Sequence, residues 1–542
     1  MPADLVAGDA ALVVFKRVAR ATARTGAIWG AVFAVYVVAS VEGFISTYPT
    51  AASRAGLAQS LGSNAGLQAL FGIPRGIDTV AGFTAWRTLA VLVIVGAIWG
   101  ILTSTRLLRG EEEAGRWELM LAGPTTRGRA TAGALAGMSV GLASLWALTA
   151  ATTLAVGRAH EAQFGITASL FFATALIASA TLFMALGALC SQLAATRRQA
   201  AGIAAGYLGI AFVLRMVADS GSTLRWVRWT TPLGWIEALQ PLVHSHALPL
   251  VPIIATTLGT AWVAIALAAG RDIGASVLPD HDRGPARTRL LGGPLGLATR
   301  LARASTLAWV IGVGAGGFFI GLVSRAAGDA IAKSNTFAKL QASLGGHAAG
   351  AAAYLGIAFV IVSALIGLQA AAQSAATRDE EAQGYLDNLL VRRVSRARWL
   401  GSRLVIAVAA LGVVGITSGL TAWIGAASQH AGVPFTKVFV AGLNVVPVGI
   451  LVLGLGTLVQ GIAPRATSIV AYSAVAWSFL VEIVGGVLRA NHWLLDLSLF
   501  HHIAPAPAAD PRWVANGLFV LLGVVLAVVG TALFVRRDIA SA

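Results

Sequence analysis

Residues 111–121 read Glu111-Glu112-Glu113-Ala114-Gly115-Arg116-Trp117-Glu118-Leu119-Met120-Leu121. Residues 380–390 read Glu380-Glu381-Ala382-Gln383-Gly384-Tyr385-Leu386-Asp387-Asn388-Leu389-Leu390. An offset of 269 residues pairs Glu111 with Glu380, Gly115 with Gly384, Glu118 with Asp387 and, further on, Arg127 with Arg396. Two other phrases recur. Arg271-Asp272-Ile273-Gly274-Ala275-Ser276 is echoed by Arg537-Asp538-Ile539-Ala540-Ser541, and Ala195-Thr196-Arg197 by Ala463-Pro464-Arg465. Self-similarity over half a chain is the signature of one structural unit used twice.

Between these phrases lie apolar runs near 26–46, 81–105, 130–156, 166–193, 199–219 and 248–270. A second set follows near 306–323, 351–376, 400–425, 435–462, 466–486 and 513–535. A helical bilayer span needs roughly 20 apolar residues, so each run predicts one crossing. Six crossings per half is an even number, so both halves enter the membrane with the same orientation, as parallel repeats related by an axis along the membrane normal. The expected fold is an all-α polytopic membrane protein of about twelve transmembrane helices, a fused pseudo-dimer. Its expected divisions are residues 1–270, a linker at 271–305 that carries the second entry helix, and residues 306–542.

Composition agrees. Of 542 residues, 57% are hydrophobic and 11% charged, against about a quarter charged in soluble domains. With a mean hydropathy of +0.78, a water-soluble globular protein is excluded, and no room remains for a soluble catalytic domain of ordinary size. The formal charge is +16, which in a soluble chain would suggest nucleic acid. Here the basic residues fall in short loops between apolar runs, where they set topology, and no nucleic-acid partner is expected. Placing the first segment inside puts 26 of the 39 basic residues on the inner side, so the positive-inside rule predicts both termini in the cytoplasm. Only four of the 39 are lysine, a bias that with the Ala and Gly richness suits a high-GC bacterial genome. Met1–Thr25 lacks the apolar core of a signal peptide. The single cysteine, Cys190, lies inside an apolar run and reads as a small core residue.

Ahead of the first span, Leu12, Phe15 and Val18 recur at helical spacing while Lys16, Arg20 and Arg24 line another face. This predicts a basic interfacial helix in the headgroup layer; an ordinary positive-inside flank is the plainer alternative. The second half has a weaker version, with Leu297 and Leu301 set against Arg300 and Arg303.

The repeated acidic stretch is the most charged part of each half. Glu111, Glu112, Gly115 and Glu118 are expected to open a short helix, where carboxylates suit the N-terminal dipole, and Pro124 to end it before Arg127 and Arg129. Orientation does not require four glutamates, because acidic residues contribute little to it. Acids and leucines presented together predict a docking surface for a partner. A solvated charged loop is the alternative.

The pattern E-E-x-G-R-x-E-L-x-L-A-x-P-x-x-R after span 2, six spans per half and a basic entry helix resemble the permease subunits of ABC exporters of the type V fold. The two-half form, with R-D-I closing each half and the linker phrase Pro294-Leu295-Gly296-Leu297-Ala298, resembles actinobacterial permeases associated with tetronasin and multidrug resistance. The resemblance implies that the charged loop is a coupling helix seated in a groove of a separate ATPase. It assigns that role to Glu111, Glu112, Gly115, Glu118, Pro124 and Arg127, and in the second half to Glu380, Glu381, Gly384, Asp387 and Arg396. Arg393 replaces the proline there, so that contact is expected to differ. No G-x-x-x-x-G-K-[ST] occurs, since none of the four lysines follows glycine; a P-loop phosphate cradle is absent. The expectation is a transport subunit that is not itself an enzyme and carries no cofactor, working with two copies of an ABC ATPase subunit that bind ATP and Mg, in the plasma membrane of a bacterium and in contact with membrane lipids.

Ionisable groups inside spans are costly and mark function. Arg215, late in span 5, and Glu482, late in span 11, stand nearly at the repeat offset. In the resembled fold spans 2 and 5 line the central seam, which suggests an outer gate formed by this pair; separate snorkelling to the headgroups is the alternative. Trp99, Phe212, Phe359, Asn444 and Phe479 are candidate substrate-path residues, although aromatics in spans commonly pack and amides commonly join helices. Outer segments at Arg225–Glu237, His492-Trp493 and His501-His502 carry interfacial aromatics. The adjacent histidines point in different directions, and no metal site is predicted.

Two other readings compete. A major-facilitator secondary transporter also has two parallel six-span halves, but the loop lacks G-x-x-x-D-R-x-G-R and the spans hold few central carboxylates. A lipid-linked sugar transferase would need larger outer loops with an acidic constellation. Cargo is expected to be bulky and amphiphilic, such as antibiotics or lipids.

Overall fold

The computed structural model describes residues 3–538 apart from 63–67, 69–70, 160–161, 220–223, 273, 279–287, 289, 333–349, 392–393 and 489–494. All regular elements among the described residues are helical. The chain divides into two units, Met1–Gly284 and Pro285–Ala542.

The first unit contains α1 (Ala3–Thr47), α2 (Ala51–Gly62), α3 (Val80–Thr105), α4 (Arg116–Leu121), α5 (Arg127–Ala159), α6 (Ile166–Leu193), α7 (Arg197–Asp219), α8 (Pro232–Ala238) and α9 (Leu250–Gly270). The second contains α10 (Pro294–Ala332), α11 (Ala351–Ala382), α12 (Tyr385–Leu390), α13 (Arg396–Ser428), α14 (Phe435–Asn444), α15 (Val446–Ile462), α16 (Thr467–Leu488) and α17 (Trp513–Arg536). Among the described residues, eleven segments are long and apolar enough to cross a membrane, with α14 and α15 making one of them. In the place of the expected eleventh span stands α16, whose 22 residues extend about 33 Å, the thickness of a hydrocarbon core. This is a multi-pass membrane protein.

The two units share one set of neighbours. In the first, α1 lies on α5, α3 on α6, α6 on α9, and α7 against α3 and α6. In the second, α10 lies on α13, α11 on α15, α15 on α17, and α16 against α11 and α15. Lipid provides no hydrophobic force between helices, so close backbone approach has to supply the attraction. Small residues allow it: Gly26 on α1 faces the Gly141 backbone of α5, and Gly425 on α13 faces Phe318 and Leu322 of α10. Around these seams Phe33, Leu92, Met138 and Phe172 fill one core, and Leu355, Ile366, Leu411 and Val452 the other.

Two features differ from the sequence expectation in detail. The basic entry segments are not separate helices. They belong to the N-terminal parts of α1 and α10, continuous with the spans; the 45 residues of α1 extend about 68 Å, roughly twice the hydrocarbon thickness, so the helix is long enough to hold both a crossing and the basic stretch Lys16–Arg24. Span 10 is divided between α14 and α15 at Asn444–Val446. Pro447 lacks an N–H and is tolerated only in a first helical turn, which is where it lies in α15.

Candidate coupling site

The charged loop begins as the end of a span. Helix α3 runs through a π-type turn, Arg106–Gly110, into a helical turn at Glu111–Glu113. Gly115 then takes a left-handed conformation with φ +69°, and α4 starts at Arg116. In the second unit α11 continues to Ala382, Gly384 has φ +72°, and α12 starts at Tyr385. A side chain at such a φ is strained, so glycine is required at both hinges. The acidic residues are therefore parted: Glu111–Glu113 and Glu380–Glu381 close the span helices, while Glu118 and Asp387 alone sit in the first turn of the short helices, where the dipole favours them.

The second acid of each run turns inward. Glu112 accepts two hydrogen bonds from Arg271, Nη1 to Oε1 at 2.7 Å and Nη2 to Oε2 at 2.5 Å, and one from the Gly274 N–H at 2.8 Å. Arg109 Nη1 lies 3.2 Å from its Oε2. Arg271 in turn donates from Nε to Gln192 Oε1 at 2.8 Å and from Nη1 to the Ala275 carbonyl at 2.6 Å. Paired N–H bonds from a planar guanidinium to both carboxylate oxygens are the strong, directional form of this interaction. The second unit repeats the set of residues, with one Arg537 bond to the carboxylate in place of the pair. Glu381, fully buried, accepts from Arg537 Nη2 at 2.5 Å and from Gln460 Nε2 at 3.2 Å, with Arg378 Nη1 at 3.5 Å. Arg537 Nε also donates to the Gln460 carbonyl at 3.2 Å.

The exit from each short helix returns to the same arginine. Arg127 Nη1 donates to the Arg271 carbonyl, with Arg127 Nη2 3.5 Å from Asp272 Oδ1. Arg396 Nη1 donates to the Arg537 carbonyl at 2.6 Å. The remaining acids are local ties: Glu111 accepts from Arg116 at 2.7 and 2.8 Å and from Arg17 of α1 at 3.0 Å, Glu113 from the Arg197 N–H at 2.5 Å, and Glu380 from Arg403.

Each short helix packs one face inward around a buried residue and leaves other side chains exposed. Trp117 packs beside Leu107 and Leu108, and Leu386 packs with Trp399, Leu400 and Phe534. Outward, Glu118 and Pro124 are exposed and Leu119 is 79% exposed, while Asp387 stands between Tyr385, 58% exposed, and Val391, 90% exposed. Arg393, expected to mark the difference between the halves, lies outside the described residues.

The family described as "Multidrug efflux system permease Rv1217c, C-terminal domain" matches residues 43–271 and 291–535. The chain belongs to this permease family. Among its relatives, the "Multidrug efflux system permease protein Rv1217c" of Mycobacterium tuberculosis (strain ATCC 25618 / H37Rv) is 29% identical over 516 residues, 93% of this chain and 90% of that protein.

At the opposite end of its first unit the permease holds a second charged cluster. Arg215 is buried, its guanidinium 5.0 Å from the Phe212 ring centroid. Close by, Arg228 Nη2 donates to Asp219 Oδ1 at 2.5 Å and lies 4.0 Å from Glu237 Oε1, which also accepts from the Ile73 N–H at 3.1 Å. Burial works to raise the Glu237 carboxyl, but its hydrogen bond with Asp219 and the charges of Arg215 and Arg228 outweigh that and hold it below the usual range. In the second unit, Glu482 accepts from Ser498 Oγ at 3.3 Å. Arg215 and Glu482, expected as a gate pair, belong to separate units, each with partners in its own.

The expected path residues are placed as follows. Trp99 and Phe359 are buried within the two cores, and Phe212 and Phe479 are partly buried against them. Asn444 is buried, donating to the Ala504 carbonyl at 2.9 Å and accepting from Asn516 Nδ2 at 2.8 Å. Of the outer segments, Arg225–Thr230 forms a 3-10 turn ahead of α8, His502 Nε2 lies 2.9 Å from the Asp496 carbonyl, and His492-Trp493 lies outside the described residues. Sequence reasoning missed Arg109, Arg378, Gln192 and Gln460. A signal existed, since Arg109 and Arg378 also stand 269 residues apart.

Proposed function

We propose that this permease is the membrane-spanning subunit of an ATP-driven exporter in the plasma membrane of a bacterium. A separate ATPase, present in two copies and holding ATP and Mg, docks on α4 and α12 from the cytoplasm, where both termini also lie. Cargo is a bulky amphiphile of the antibiotic or lipid kind, and the chain moves it without covalent chemistry. One observation carries the reading: the same short helix is built twice, each time behind a left-handed glycine, with an exposed acid and an exposed apolar side chain outside the span. Large apolar groups left in water beside a charge mark a protein–protein contact, and the printed name of the Mycobacterium relative supports the efflux assignment.

The test is copurification. Expressed beside the ATPases of its host, the tagged chain should carry one with it in detergent. Reversing both Glu118 and Asp387 to arginine should lower the retained ATPase at least 10-fold. An unchanged yield, or transport by the chain alone on an ion gradient, overturns the reading.

A further inference from the structure

Each docking helix is held at both ends by one residue beyond the last span of its unit. The side chain of Arg271 binds Glu112, just before α4, and its carbonyl accepts from Arg127, just after. The side chain and carbonyl of Arg537 bind Glu381 and Arg396, on either side of α12. Gln192, in the last turn of α6, and Gln460, in the last turns of α15, complete the two clusters.

We propose that Arg271 and Arg537 are positioning residues for energy coupling: they relay movement of a docking helix to the fourth and sixth spans of the same unit, α6 with α9 and α15 with α17. The proposal rests on the reading that an ATPase seats on α4 and α12. The two contact points flank the docking helix rather than lie on it: Glu112 closes α3 ahead of the Gly115 hinge, and Arg127 opens α5 behind Pro124. The bidentate carboxylate–guanidinium contact is directional and largely shielded from water, with the side chains of Glu112 and Arg271 8% and 13% exposed. Two planar groups joined by parallel N–H bonds resist bending as well as separation. A push on α4, passed to the segments on either side of it, therefore meets α3, α5, α6 and α9 at one arginine, and the second unit has the same residue types with a single Arg537–Glu381 bond in place of the pair. Coupling claims need a demonstrated mechanical element rather than proximity. Here that element is the set of bonds gathered on one arginine in each unit.

Lysine keeps the charge at these positions but cannot make the paired contact of Arg271 with Glu112, nor bond Glu381 and the Gln460 carbonyl from two sides of one planar group as Arg537 does, so R271K and R537K are the informative variants, with Q192A as a milder one that frees only the orientation of Arg271. Two readouts separate the claims. Amide hydrogen exchange of the full chain in detergent reports the clamp without any ATPase, and exchange across residues 113–121 should rise at least 10-fold in R271K. Drug exported per ATP hydrolysed, in vesicles holding the full complex, reports the relay and should fall at least 10-fold, while E118R should instead reduce the ATPase bound. Wild-type exchange in R271K and Q192A overturns the clamp. Faster exchange with an unchanged export-to-hydrolysis ratio overturns the relay. If no ATPase accompanies the wild-type chain, the exporter reading falls and the relay with it, whatever the exchange rates. If R271K fails to insert, Q192A and R537K are read by the same criteria.

Discussion

Arg537 closes its guanidinium on Glu381, 156 residues earlier in the chain, with Nη2 2.5 Å from Oε1, as Arg271 closes on Glu112 across 159 residues. Both carboxylates turn into their own unit, with the side chain of Glu112 8% exposed and Glu381 fully buried. Both join the entry of a docking helix to the segment after a last span, which separates the acids that shape the site from the acids that display it.

Replacing Glu381 with glutamine should be costly. It leaves Arg537 and Arg378 in a buried place without a counter-charge, and breaking a buried ion pair from one side costs about 3–5 kcal/mol. Thermal unfolding in detergent should show a clear drop for E381Q. The double variant E381Q/R537Q, which removes charge from both sides, should regain part of the loss.

The hinge glycines should accept little else. With φ at +69° and +72°, G115A and G384A each carry about 1–2 kcal/mol of backbone strain, and asparagine should be borne better than alanine. Binding of the ATPase, measured by retention on the tagged chain, should weaken in the order Gly, Asn, Ala.

Helix seams and open helix faces should respond oppositely to added bulk. A side chain at Gly425 would run into the backbone of Phe318 and Leu322, whereas Gly412 has nothing within 4 Å. Overpacking costs about 1–3 kcal/mol or more, so G425L should lower the monodisperse yield in detergent while G412L leaves it near wild type.

The exposed face of the docking helices should matter for association alone. L119S and D387R alter exposed side chains, and surface changes of this kind shift stability by about 0.5 kcal/mol or less. Melting should stay put while the ATPase is lost, the reverse of what E381Q does.

Much of this was open to reading in the residues. Apolar runs marked the spans because each must fill a bilayer, and Gly115 and Gly384 stood out because they repeat at one offset together with the charges around them. The repeated R-D-I phrase was visible too, but its meaning was not: a side chain that bonds 159 positions upstream leaves no periodic trace, and Arg271 looked like one more inner-side cation. Gln192 was hidden at the end of an apolar run for the same reason. Glu237 was read as part of an aromatic outer segment, since only the fold brings it to Asp219 and Arg228. The parting of the acidic run at Gly115 was not anticipated, because helix propensity favours Glu on either side of the hinge and backbone handedness decided the matter.

Because the bonds of Arg271 among the described residues stay within residues up to 284 and those of Arg537 within residues from 285, severing the polypeptide at that junction cuts none of these. Co-produced as two separate proteins, the fragments should each mature with a complete latch, and mixing a wild-type fragment with a latch-deficient one would show whether one working grip is enough to drive a cycle.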